Sequence, residues 1–66
     1  MTRPLTGDET TVLEVIMYLQ GKGNDSFTED IGRNCVLSEI ELCTALSSLR
    51  AEGQIYITPM RGWLTA

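Results

Sequence analysis

One short pattern occurs three times in the sequence, and it constrains the fold more than any other feature. Each copy has Ser or Thr followed three positions later by Glu, at residues 6–9, 26–29 and 38–41. In such a capping box the hydroxyl accepts a hydrogen bond from the backbone of the glutamate, and the glutamate accepts one from the backbone of the hydroxyl residue. Because each copy leads into apolar residues at helical spacing, the sequence predicts three helix starts.

The apolar spacing after each capping box sets the extent of the predicted helices. The first helix should run over about residues 7–20, a short second helix over about residues 28–35, and a third over about residues 39–51. The residues predicted to face inward are Val12, Val15, Ile16 and Leu19 in the first helix, Phe27, Ile31 and Cys35 in the second, and Leu42, Ala45, Leu46 and Leu49 in the third.

Two short segments with the composition of β-strands follow the third helix. Residues 54–58 are rich in β-branched and aromatic side chains, and residues 63–65 can return as a second strand after the turn chemistry of residues 59–62. Three helices and a terminal hairpin make the arrangement of a winged helix-turn-helix domain, of the α+β class. We expect one such domain over residues 6–66, after a flexible lead-in over residues 1–5.

Composition excludes several classes of function. The 66 residues contain no histidine and only two cysteines, which excludes a histidine-based catalytic triad, a histidine metal cage and a disulfide framework. We therefore expect a binding module with no cofactor and no enzymatic activity. The few cysteines and the polar start predict an intracellular protein, in the cytoplasm or nucleus. No apolar run approaches the roughly 18 residues of a membrane span, so no membrane partner is expected.

A set of residues at the end of the third helix and the start of the hairpin carries a family resemblance. The set reads Ala-x-x-x-Leu and then Glu-Gly-x-Ile-Tyr-x-Thr, at Ala45, Leu49, Glu52, Gly53, Ile55, Tyr56 and Thr58. In this pattern the sequence resembles the C-terminal winged helix of the middle subunit of replication protein A. The resemblance implies a domain of replication or repair machinery that docks amphipathic helices through its hairpin and neighbouring residues. The turn at residues 59–62 lacks the aspartates of that family.

Two surfaces are predicted to dock a partner helix. The first is the hairpin strip, which consists of Glu52, Tyr56, Thr58 and Met60. This strip faces solvent if Ile55 and Ile57 alternate toward the core. Its aromatic and thioether side chains would supply apolar contact area, and its carboxylate would attract a basic side chain of the ligand. The second surface is the exposed patch around Ile40 and Thr44 on the third helix.

The alternative function is sequence-specific binding of double-stranded DNA, as in a small transcriptional regulator. Such a regulator could act as a monomer or as a homodimer. The residues assigned to it are Ile40, Thr44 and Ser47 for the major groove and Arg33, Arg50 and Arg61 for the phosphates. The outward face of the third helix lacks the Arg, Lys, Asn and Gln side chains that read base edges. A net charge of -4 also opposes approach to a polyanion. Protein docking is therefore the first hypothesis.

Three further side chains have both a structural and a functional interpretation. Trp63 is expected to pack the hairpin on the first helix, with an exposed anchor for a partner as the alternative. Cys35 is expected to be a small buried side chain. Cys43 is expected near the exposed flank of the third helix, where a reactive thiol or a dimer contact is the alternative.

Overall fold

The computed structural model describes residues 4–66, which form three helices and then a two-stranded antiparallel hairpin. The elements are α1 (Gly7–Gly21), α2 (Thr28–Arg33), α3 (Glu39–Ala51), β1 (Ile55–Thr58) and β2 (Gly62–Thr65). The predicted α+β class is confirmed, and the layout is consistent with a winged-helix topology. Within the described residues, no helix is both long and apolar enough to cross a membrane.

The capping boxes of α1 and α3 form as predicted. The Thr6 hydroxyl accepts a hydrogen bond from the backbone N–H of Glu9 at 3.2 Å, and Glu9 Oε1 accepts one from the backbone N–H of Thr6 at 2.9 Å. Ser38 and Glu41 repeat this exchange at 3.2 and 3.0 Å. Because a capping box needs only residues three apart, it can be read from the sequence, and both helices begin where it predicts.

The prediction that Ser26 caps α2 is wrong. The cap residue is Phe27, whose backbone N–H donates to Asp30 Oδ2 at 3.1 Å. Ser26 is instead fully buried, and its hydroxyl donates to the backbone carbonyl of Trp63. Its own N–H donates to the carbonyl of Arg61, and its carbonyl accepts from the N–H of Trp63, both at 2.9 Å. Ser26 therefore adds a one-residue bridge to the outer edge of β2.

The second helix is two residues shorter than predicted. It ends at Arg33 because Asn34 caps it. The backbone N–H of Asn34 donates a hydrogen bond to the carbonyl of Ile31 at 3.0 Å, and its side-chain amide donates one to the carbonyl of Asp30 at 2.7 Å. Cys35 therefore lies outside the helix, where it is half-buried and packs against the core.

The hydrophobic core joins α1, α2, α3 and the hairpin. Its buried members are Val12, Ile16, Leu19, Ile31, Leu42, Ala45, Leu46, Leu49, Ile55 and Trp63. The inward positions predicted for α3 are therefore all buried. Val15, which was predicted to face inward on α1, is half-buried at the margin of this cluster. The predicted lead-in lies partly outside the described residues, and within them Leu5 is half-buried and packs against the core.

The hairpin register places Tyr56 opposite Leu64 and Ile57 opposite Trp63. Ile55 and Trp63 are buried, so this side of the hairpin meets the helices. The expectation that Ile57 also faces the core is wrong, because 47% of its surface is exposed. Its cross-strand partner Trp63 is buried, so the packing that covers this face of the hairpin at β2 does not extend to Ile57 on β1.

Candidate functional site

The predicted hairpin strip forms only in part. Tyr56 is 47% exposed and Met60 is 84% exposed, but Met60 lies in the turn beyond the end of β1. Thr58 is half-buried, and its hydroxyl donates to the carbonyl of Gly62 at 3.1 Å while accepting from the N–H of Arg61 at 3.2 Å. Thr58 therefore closes the turn, and the strip is not a continuous row of exposed side chains. Glu52, its fourth member, is half-buried at the end of α3.

The outward face of α3 matches the sequence expectation. Ile40, Cys43, Thr44, Ser47, Arg50 and Ala51 are all exposed. Ile40 is the extreme case, with 80% of its surface in contact with solvent on the first turn of the helix. An aliphatic side chain this exposed contributes nothing to the core, so it is available for contact with a partner.

A groove lies between the first turn of α1 and the first half of α3, and we call it the α1–α3 groove. Its volume is about 470 Å³, and it is lined by Thr6, Asp8, Glu9, Ile40, Glu41, Thr44, Ala45 and Ser48. Ile40, Thr44 and Ser48 recur at intervals of four, so they form one stripe along α3. The predicted patch around Ile40 and Thr44 is therefore one wall of this groove.

Three of the residues that line the α1–α3 groove are carboxylates. Asp8, Glu9 and Glu41 all belong to the first turns of their helices, whereas Ala45 and Ser48 continue the groove without charge. No Lys or Arg lines it within the described residues. Among the described residues, the charged side chains that line the groove are therefore all negative.

The capping chemistry fixes one of these charges in place. Glu41 is exposed, and it accepts a hydrogen bond from the backbone N–H of Ser38 while its own N–H donates to the Ser38 hydroxyl. The hydrogen bonds from Ser38 lower the pKa of Glu41 below its usual value of 4.5. The carboxylate is therefore ionised at neutral pH and is held at the edge of the groove before any ligand arrives.

Six of the eight residues that line this groove were not predicted as site residues: Thr6, Asp8, Glu9, Glu41, Ala45 and Ser48. A local signal was present for Ser48, since it follows Ile40 and Thr44 at helical spacing. No signal pointed to the contribution of α1, because the packing of its first turn beside α3 joins segments more than thirty residues apart.

Two of the three arginines that were assigned to phosphate binding already pair with carboxylates of this chain. Arg33 lies 3.8 Å from a carboxylate oxygen of Glu29 and 3.6 Å from one of Asp30. Arg61 lies 4.0 Å from Asp25. Of the three assigned arginines, Arg50 is the one with no ion pair among residues 4–66, and it is exposed.

Carboxylates also border the helix-turn-helix face formed by α2 and α3. A hollow of about 270 Å³ between these helices includes Glu29 and Glu39 in its walls. A second hollow, of about 440 Å³ at the start of α2, includes Glu29 and Asp30. The face that would approach a DNA backbone is therefore negative at the first turns of both helices.

Trp63 is a core residue and not an exposed anchor. It is 8% exposed, and its indole N–H donates to the hydroxyl of Thr28 at 3.1 Å. Both cysteines are free thiols, with Cys35 half-buried and Cys43 exposed. Nowhere in residues 4–66 do three or more His, Cys, Asp or Glu side chains cluster in a way that could hold a metal ion.

The elements and the groove together define an α+β protein of three helices and a hairpin, with a layout consistent with the winged-helix class. Comparison with protein-family models, with curated proteins and with solved structures found no match.

Proposed function

We propose that this chain is a non-enzymatic winged-helix module of DNA-transaction machinery that docks an amphipathic helix of a partner protein. Two features support the proposal at the level of class: the order of three helices and a hairpin, and the resemblance of residues 45–58 to the replication protein A domain. The observation that carries the proposal is the exposed side chain of Ile40 beside a groove that is lined by carboxylates and, among residues 4–66, by no Lys or Arg.

An apolar side chain next to fixed negative charge suits a ligand with both apolar and basic residues. Interface cores are rich in large apolar side chains, and charge complementarity directs the encounter and sets the register. A basic amphipathic helix combines these two properties on one surface. It would bury Ile40 and place its cations near Asp8 and Glu41.

The same charges argue against double-stranded DNA as the ligand. A recognition helix brings its N-terminal residues to the base edges, and the first turn of α3 carries Glu39 and Glu41. DNA affinity depends mainly on contacts between cations and phosphates, but Arg33 and Arg61 already face carboxylates. DNA binding stays the alternative because Arg50 is exposed and unpaired within the described residues, beside the exposed face of α3.

A titration followed by backbone amide shifts separates the two functions. Mixed-sequence duplex DNA is added first, and a basic amphipathic peptide is added to a second sample, both at low salt. Docking predicts shifts with the peptide along α3 residues 40–48 or along the hairpin, with little response to the duplex. Shifts caused by the duplex and centred on residues 39–50, weakening steeply with added salt, would overturn the docking proposal.

A further inference from the structure

The outward face of α3 carries opposite charges at its two ends. Glu39 lies in the first turn and Arg50 in the last turn, and both side chains are exposed. They are eleven residues apart, about 16 Å along the helix axis, so they do not reach each other within one chain. Neither side chain makes an ion pair or a hydrogen bond among residues 4–66. Each end of the face therefore offers an unpaired charge to a partner.

The helical period places both charges on the same flank of α3. Eleven residues make almost three turns, so Glu39 and Arg50 differ by only about 20° around the helix axis. Glu41, Ala45 and Ser48, which line the α1–α3 groove, lie on the other flank. The flank that carries the two charges is therefore the one that faces away from the first turn of α1.

The uncharged part of the face has one large side chain at its start and small side chains toward its end. Ile40 is 80% exposed in the first turn. Ser47 and Ala51 follow it on the same side of the helix after about two and three turns, and both are exposed. A face that is raised at one end and shallow at the other fits a reversed copy of itself.

An antiparallel arrangement of two copies of α3 satisfies the charges and the shape together. A two-fold axis perpendicular to the helices keeps each flank on its own side and reverses the order of the residues. Glu39 of one copy then lies opposite Arg50 of the second copy, and this contact occurs twice. Ile40 lies opposite Ser47 and Ala51 of the second copy, where small side chains leave room for it. A parallel pair would instead place like charges at the same height.

From this self-complementarity we propose that the outward face of α3 is the interface of a symmetric antiparallel homodimer. The chain itself supplies an aliphatic side chain, small side chains and opposite charges in the matching order, and flanking charges set the partner and orientation of paired helices. The inference goes beyond the proposed function, which uses the other flank of α3. The two surfaces share Ile40, so a partner helix that buries Ile40 would displace the second copy.

The size of the face sets the expected strength of the dimer. α3 has 13 residues, so a contact along it is about 20 Å long and 10 Å wide. Such a contact is smaller than the roughly 800 Å² per partner that a stable interface buries. We therefore expect a dissociation constant on the order of 0.1 mM. Sedimentation equilibrium between about 20 µM and 1 mM chain should show monomer converting to dimer.

Charge reversals test the antiparallel order. Glu39→Arg places Arg at both ends of the face, and Arg50→Glu places Glu at both ends. Each variant alone should dimerise at least about tenfold more weakly than the parent chain, because two attractive contacts become repulsive. An equimolar mixture of the two variants should form a heterodimer about as strongly as the parent chain dimerises, since every contact again joins Arg to Glu.

Matched controls separate these contacts from net charge. Glu14→Arg and Lys22→Glu make the same changes in net charge at exposed positions outside α3, and each should dimerise within about threefold of the parent chain. Net charge alone predicts the opposite result for Glu39→Arg, because a less negative chain repels its copy less.

A second pair of variants tests the apolar contact. Ile40→Ser should weaken the dimer at least about threefold, because Ile40 loses its burial against the second copy. Met60→Ser is the control, since Met60 is 84% exposed in the hairpin turn and should leave the dimer unchanged. Neither side chain belongs to the core, so both variants should fold.

Each outcome either supports or overturns the interface. Weak association of both single variants and its recovery in the mixture would establish the antiparallel contact, and the recovery would also show that both variants fold. A dimer that both charge variants retain, or a mixture that does not recover, would overturn it. A parent chain that stays monomeric at about 1 mM would also overturn it. That result would leave the docking of a partner helix untouched, so the two proposals fail separately.

Discussion

At the scale of single residues, Gly62 in β2 and Gly32 in α2 differ in whether the structure leaves room for a side chain. Gly62 has φ = +82°, and a Cβ placed on it would lie 2.6 Å from the backbone nitrogen of Phe27. The close approach exists because Ser26 pairs with the edge of β2 at this point. Gly32 in α2 has no such constraint, since its Cβ would meet Leu42 at an ordinary 3.5 Å.

Gly62→Ala and Gly32→Ala should therefore change stability in opposite directions. We expect Gly62→Ala to lower the free energy of unfolding by at least about 2 kcal/mol, from backbone strain and the clash with Phe27. Gly32→Ala should raise it by about 0.5–1 kcal/mol, because Ala is the better helix former. Urea unfolding of both variants checks this. Equal stability of Gly62→Ala and the parent chain would contradict the described packing of Ser26 against the hairpin.

The buried hydroxyl of Ser26 gives a second prediction at this scale. Ser26→Ala removes the donor to the carbonyl of Trp63 and leaves that carbonyl without its side-chain partner. The expected loss of stability is about 1–3 kcal/mol, the cost of an unsatisfied buried polar group. Fluorescence of Trp63, the single tryptophan, follows the unfolding. Ser47→Ala is the control, because Ser47 is exposed and its substitution should change stability by no more than about 0.5 kcal/mol.

At the scale of elements, the same carboxylates begin the helices and shape the candidate site. Glu9 and Glu41 complete capping boxes, and both line the α1–α3 groove. A negative charge at a helix N-terminus also interacts favourably with the helix dipole. The acidity of the groove is therefore a consequence of how α1 and α3 start, and the proposed recognition of a cation uses charges that the fold already requires.

The lowered pKa of Glu41 predicts how its contribution to stability varies with pH. Because its pKa is lower in the folded chain than in the unfolded one, its contribution is fully present above pH 4.5 and is lost as the pH falls through the folded value. Glu41→Gln should therefore be less stable than the parent chain at pH 7, and the difference should shrink at pH 3. Urea unfolding at both pH values measures it. A difference that stays constant would show that Ser38 does not stabilise the charge, and Glu14→Gln serves as the control.

Local patterns explain which elements could be predicted from the sequence and which could not. The bounds of α3 were predicted correctly, since the Ser38 cap, the apolar spacing and the closing Glu52–Gly53 pair all lie within the helix or next to it. The role of Ser26 was missed because it depends on pairing with residues 61–63, more than thirty positions away. The exposure of Ile57 was missed for a similar reason, since alternation along β1 does not reveal that the packing on this face covers Trp63 in β2 and leaves Ile57 exposed.

Two of the eight residues that line the candidate site were predicted from the sequence, and the other six were not. Ile40 and Thr44 were assigned to an exposed face from the helical period of α3 alone. Asp8 and Thr6 could not be assigned, because the sequence does not reveal which helix ends lie side by side. The hairpin strip was predicted as a row of side chains, but the hydrogen bonds of Thr58 within the turn remove it from that row.

At the scale of the whole molecule, the charge is negative, with nine carboxylate side chains against five Lys and Arg side chains. The chain carries a net charge of -4, so a polyanion meets repulsion at long range and a basic ligand meets attraction. Both effects weaken with salt, over a Debye length of about 10 Å at 0.1 M. The net charge thus favours the same class of ligand as the α1–α3 groove does.

A charge reversal on the hairpin turn separates the effect of net charge from a specific contact. Arg61→Glu and Lys22→Glu make the same change in net charge, but only Arg61 lies in the turn that would reach a DNA backbone. Under the docking proposal, both variants bind the basic peptide within about twofold of the parent chain, because neither residue lines the groove. If the chain binds DNA, Arg61→Glu should reduce duplex affinity more than tenfold, and Lys22→Glu should reduce it far less. Anisotropy with labelled duplex at 50 and 200 mM salt measures the difference. A steep salt dependence that becomes shallower only in Arg61→Glu would identify a phosphate contact and refute docking as the main function, since each lost contact lowers the slope by about one unit.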